Sequence, residues 1–131
     1  MPKRIIPIKK APRPLGDYTQ AWEVQNGRLI FISGQVPVDP HGKPIGVGDL
    51  PLQTRTVLEN LKRVLEDAGA GLQDVFKLNV YVRDMAKFRA ETREIRKEYF
   101  PQDFPGSTLV EVSALAMPEF LVEIEAVAAV E

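Results

Sequence analysis

The sequence predicts a two-layer α+β fold, with two helices packed on one face of a mixed sheet. Two apolar stripes recur at helical spacing, and residues 77–83 alternate at strand spacing. Strand-like runs stand before and after them, giving the order strand, strand, helix, strand, helix, strand, strand.

Residues 18–24 and 29–33 read as strands joined through Gln25-Asn26-Gly27-Arg28, in which Asn-Gly is a strong hairpin signal. The stretch VDPHGKPIGVGD is rich in turn formers and reads as a surface loop, which makes His41 an exposed turn residue rather than a catalytic base. Pro51 suits a first helical turn, and Val57, Leu58, Leu61, Val64, Leu65 and Ala68 form one stripe that Gly69 and Gly71 end. In 77–83, Leu78, Val80 and Val82 share a face. Asp84 is a candidate N-cap for a second helix with the stripe Phe88, Thr92, Ile95 and Tyr99, and Pro101 and Pro105 bound its exit. Residues 108–113 and 121–128 read as the closing strands. One helix layer covers only one sheet face; Leu109, Leu121 and Val127, assigned to the other, predict an oligomer with the sheets facing inward.

Composition bounds the function. At 131 residues the chain is one domain, 1–131, and 44% hydrophobic with 27% charged residues suits a soluble globular protein. No apolar run nears the roughly 20 residues of a membrane span, and the N-terminus lacks the apolar core of a secretory signal. No membrane partner and a cytoplasmic location are the expectations. The absence of cysteine removes disulfides, thiolate nucleophiles and Cys-ligated zinc, and a single histidine gives little for a transition metal. Seventeen basic against eighteen acidic residues argue against a nucleic-acid partner, whose phosphates reward a basic excess. Lys3, Arg4, Lys9, Lys10 and Arg13 read as a solvated terminus, with residues 1–14 partly mobile.

Short motifs then carry a resemblance. Gly16-Asp17-Tyr18-Thr19-Gln20-Ala21, Ile32-Ser33-Gly34-Gln35-Val36-Pro37, Gln53-Thr54 with Val57-Leu58-Glu59-Asn60-Leu61, Ala68-Gly69, Leu72-Asp74-Val75-Lys77, Val110-Glu111-Val112 with Leu115, and Val122-Glu123-Ile124-Glu125-Ala126 stand in order from about residue 15 to 128. In that order and spacing they resemble the Rid (YjgF/UK114) family of imine and enamine deaminases. The resemblance implies a chorismate-mutase-like fold, a homotrimer with clefts between subunits, a small imine or enamine substrate, and no metal or cofactor. Glu123 matches the family's water-positioning glutamate and Tyr18 its cleft tyrosine.

An imine carbon is already electrophilic, so one carboxylic acid can hold the water and shuttle the proton. By strand parity Leu121, Glu123, Glu125 and Val127 share a face, and two neighbouring carboxylates there are expected to raise each other's pKa. Ser33 and Gly34 end a strand where the missing side chain admits a ligand. Asn79, on a polar strand face, reads as structural.

The sequence departs from the family at the substrate anchor. Members active on imino acids carry arginine four residues before the glutamate of Val-Glu-Val; here that position is Ser107, with Leu109 two residues on. Losing a bidentate arginine–carboxylate contact costs about 2–5 kcal/mol, which predicts weak action on 2-imino acids. The family's helix asparagine falls on Thr92 or Arg93, and Arg93 is a candidate substitute cation. Two functions follow: a deaminase, or a trimer that binds a small metabolite without turnover.

Overall fold

The computed structural model describes residues 2–131. In chain order the elements are β1 (Lys3–Ile5), β2 (Trp22–Val24), β3 (Arg28–Gln35), α1 (Leu50–Asp67), a 3-10 turn (Leu72–Asp74), β4 (Val75–Val82), α2 (Met85–Tyr99), β5 (Gly106–Glu111) and β6 (Val122–Val130). The main sheet runs β3-β6-β4-β5, with β4 and β5 parallel and the other neighbours antiparallel. The parallel step needs a crossover, and α2 provides it.

Both helices form as their stripes predict. Asp49 caps α1 by accepting from the Leu52 amide at 3.0 Å, Pro51 stands in the first turn, and Gly69 leaves with φ of +77°. Val57, Leu58, Leu61 and Leu65 are wholly buried; each contributes about 1.5–3 kcal/mol relative to an exposed position. Asp84 caps α2 through the Lys87 amide at 3.0 Å, and Phe88 and Thr92 are buried beneath it. Opposite lie Leu78, Val80 and Val82 of β4 with Val122, Ile124 and Ala126 of β6, so the core fills the space between one sheet face and the helices. Motif residues on α1 hold the surroundings: Asn60 donates to the Val36 and Val38 carbonyls at 3.1 and 3.0 Å. Gln53 donates to the Glu119 carbonyl and accepts from the Leu121 amide, both at 2.8 Å.

Two expectations need correction. The Asn26-Gly27 turn forms, with Asn26 at φ 55°, but the strands it joins do not pair. Instead β2 pairs with β1, in the register Lys3 opposite Val24, as a separate two-stranded sheet, and β3 pairs with β6. The observed order therefore carries one more strand than predicted, within the stretch read as a solvated, partly mobile terminus. On one edge β3 pairs with β6 and sends Ile32 into the core, while β2 runs beside β1, whose Lys3 lies 4.0 Å over the Trp22 ring. The second correction is parity. Leu109 stands beside Val80 in parallel register and so faces the helices, while Leu121 precedes β6 and packs against the core. Val127 does lie on the open face, next to Phe31 at 74% exposure and with Val110 at 39%. No helix among the described residues is long and apolar enough to cross a membrane.

Candidate active site

The predicted site residues fall into two groups on opposite faces of the main sheet. The helix-side group forms where the 15–22 segment crosses the β5 edge. The Thr19 amide donates to the Pro105 carbonyl at 3.1 Å, and the Trp22 indole N–H to the Phe104 carbonyl at 3.1 Å. These bonds fasten the segment so that Tyr18 comes beside Ser107 and Leu109, in a cleft of about 890 Å³ whose far wall is α2. The Tyr18 hydroxyl accepts from the Leu15 amide at 3.0 Å. A smaller apolar cavity of about 50 Å³ runs inward from the same place and shares Asp17, Arg93, Arg96 and Ser107.

Arg93 does line this cleft, but it is engaged. Its Nε donates to Asp17 Oδ2 at 3.0 Å, and Lys97 Nζ lies 3.9 Å from the same oxygen. The Arg93 hydrogen bond, ahead of the nearby charges, holds the Asp17 carboxyl below the usual carboxylate range. Arg96 is different. Half-buried, it donates from Nε to Thr92 Oγ1 at 3.2 Å and lies 4.8 Å over the Phe88 ring.

On the open face, Glu123 and Glu125 stand two residues apart on β6 and behave differently. Glu125 Oε1 accepts from the Tyr81 hydroxyl at 2.7 Å and from Asn79 Nδ2 at 2.9 Å. The Tyr81 bond first, then the Asn79 bond, hold the Glu125 carboxyl below its ordinary value. The expected mutual raising of the two carboxyls therefore fails for Glu125, because hydrogen bonds to its charged form outweigh any repulsion. Asn79, read from the sequence as structural, thus holds the Glu125 carboxylate and also lines the open-face hollow. Among the described residues Glu123 has no such partners, and its carboxylate lies against Gly34, where even a Cβ would collide with it. The β3–β6 register shifts between Ile32 and Gln35, and this irregularity brings the Gly34 backbone over Glu123. Ser33 lies nearby on the rim of a hollow of about 400 Å³ shared with Phe31, Lys77, Asn79 and Glu125.

Residues 8–130 match the sequence model of the family described as Endoribonuclease L-PSP. The chain belongs to this family. It is 45% identical over 128 residues to a RutC family protein of Pyrococcus abyssi, covering 98% of both chains. It is 38% identical over 128 residues to the 3-aminoacrylate deaminase RutC of Acinetobacter baylyi, again covering 98% of both. A crystal structure of the Rid family protein YyfB from Yersinia pestis matches with a TM-score of 0.86 at 36% identity, covering 99% of this chain and 100% of that one. Rid membership and the chorismate-mutase-like fold thus stand as the motifs implied.

Within this Rid-family chain, one cleft brings together Tyr18, Ser107, Leu109 and Arg93, while Glu123, Ser33 and Gly34 meet on the far side of the sheet. Arg96 was missed by motif reading because it belongs to no matched motif. A signal was present: Arg89, Arg93 and Arg96 share a helix face with the small residues Ala86 and Ala90, and all five line the cleft. His41 is an exposed turn residue, its amide bonded to Asp39 Oδ1 at 2.8 Å.

Proposed function

We propose that this chain is a hydrolase that deaminates a small, reactive imine or enamine, in clefts formed where two protomers of a homotrimer meet. The placement of the residues across the sheet carries the reading. One face offers a carboxylate, Glu123, without hydrogen-bond partners among the described residues and seated against the bare backbone of Gly34; the other offers Tyr18 and a cationic helix wall. The sheet separates these half-sites within one chain, so a second copy must bring the missing half, and the exposed Phe31, Val110 and Val127 give it an apolar surface to meet. The 3-aminoacrylate deaminase among the relatives supports the reaction class.

In the proposed chemistry, an enamine first takes a proton on carbon and gives one up from nitrogen to become the imine. Water, oriented by Glu123, adds its oxygen to the C=N carbon and loses a proton to the carboxylate, which delivers it to nitrogen. The carbinolamine then passes its hydroxyl proton to the amine by the same carboxyl, and ammonia leaves as the carbonyl forms. Tyr18 closes over the substrate and offers its hydroxyl.

The test is ammonia release from freshly generated 2-aminoacrylate and 2-iminobutanoate. Glu123→Gln should keep the fold and lose about two to four powers of ten in rate, the usual contribution of a general acid–base group. Glu125→Gln should lose less than tenfold. Equal losses from both, or none from either, would remove Glu123 from this role. Ser107 favours a second reading, ligand binding without turnover: saturable uptake of 2-oxobutanoate with no ammonia release from any imine would establish it.

A further inference from the structure

We propose that α2 supplies the cation that β5 lacks: Arg96 is the residue that holds the anionic end of the ligand in the cleft. This rests on the proposed deaminase site and names a substrate-positioning residue for it. Four observations support it.

The first is position. Arg96 and Ser107 both line the wide cleft and the cavity leading inward from it, so Arg96 borders the space next to the position where the family's arginine would stand. The second is availability. Arg93 and Lys97 lie within ion-pair distance of Asp17, whereas no carboxylate among the described residues is that close to Arg96. Among the described residues its one hydrogen bond is from Nε to Thr92, which leaves the terminal nitrogens for a ligand.

The third observation is rigidity. Thr92 is wholly buried and donates to the Phe88 carbonyl at 2.6 Å, so its oxygen is fixed as the acceptor for Arg96. The Phe88 ring supports the guanidinium 4.8 Å away, the stacking that arginine makes better than lysine. An anchor already held by two contacts loses little freedom when a ligand arrives. The fourth is field. Four cationic side chains, Arg89, Arg93, Arg96 and Lys97, line these cavities against the lone carboxylate of Asp17, on a chain whose net charge is −1. A cleft lined mainly by one sign concentrates the opposite charge. Burial works against the charge of Arg96, a cost that an arriving carboxylate would relieve.

The experiment titrates the full-length protein with 2-oxobutanoate by calorimetry, with uncharged 2-oxobutanamide as control. The wild type should bind the acid at least tenfold more tightly than the amide. Arg96→Met, which keeps the packing on Phe88, should lose about tenfold to a hundredfold in affinity for the acid and little for the amide, the range of a charge-assisted hydrogen bond. Arg96→Lys should recover only part of that loss, and Arg93→Met should lose less than Arg96→Met. Circular dichroism and the melting temperature check that each variant is folded, and Arg96→Gln replaces Arg96→Met if the latter is not. Equal affinity for acid and amide in the wild type, or unchanged acid binding in both folded neutral variants, overturns the anchor. Arg96-dependent binding without ammonia release from any imine leaves the anchor standing and defeats the deaminase reading. Ammonia release with a KM indifferent to Arg96 does the reverse.

Discussion

On β6, Val122, Ile124 and Ala126 are between 0 and 3% exposed, while Glu123 and Glu125, one residue along in each case, remain partly open to solvent. Alternate side chains of the same strand thus build two environments. The covered face is uniformly aliphatic, closed by α1 and α2, and carries the stability of the chain. The open face mixes a hydrogen-bonded trio, Glu125, Tyr81 and Asn79, with the exposed ring of Phe31. A face that mixes partnered polar groups with bare apolar ones suits contact with another protein surface better than contact with water alone. The contrast teaches that a period of two lets one strand serve fold and function together, provided the two are assigned to opposite parities.

That contrast can be broken from either side. Ile124→Ala opens a void in the covered face and should cost about 2–5 kcal/mol, measured by denaturant unfolding. A loss below about 1 kcal/mol would mean the core collapses around the gap. Phe31→Asp acts on the open face and should leave the stability of the single chain within about 0.5 kcal/mol, since Phe31 is largely exposed. Its effect should appear in light scattering, where the proposed assembly of three 14.7 kDa chains falls to one, and in the loss of activity as the shared clefts separate. An assembly untouched by Phe31→Asp and by Val127→Asp would place the interface elsewhere.

The smallest effect is a pH dependence. Because Glu125 has a depressed pKa in the folded chain, its stabilisation is present above the ordinary glutamate value of about 4.3 and fades as pH falls through the lower, folded value. Melting temperatures of the wild type and Glu125→Gln should therefore differ at pH 7 by the equivalent of about 1 kcal/mol or less, and converge below pH 4. A gap that widens in acid would reverse the sign assigned here.

Much of this was legible in the sequence, for local reasons. The α1 and α2 stripes and the Asp84 cap depend on neighbours three or four residues away, as does the alternation of β4 on neighbours two away, so the chain records them. Strand partners are a distant matter. Asn26-Gly27 announced a reversal correctly but could not say that Trp22–Val24 would take Lys3–Ile5, leaving β3 for β6. Leu109 was misplaced because a short strand with apolar residues on both parities does not declare its register. For the candidate site, matched motifs pointed to Glu123, Gly34 and Tyr18, whereas Arg96 became a candidate only once α2 lay across from β5. Helical spacing groups residues on a face without saying what that face meets.

Gly34 restricts how this protein can change over generations. Its bare backbone is the space that the Glu123 carboxylate occupies, so the two positions are not free to vary separately. A lineage that acquires a side chain at 34 first must displace the glutamate, whereas one that shortens position 123 first gives up the carboxylate before it gains anything. Under the role proposed for Glu123, either path crosses a less fit intermediate, and the pair is therefore expected to persist together or be lost together.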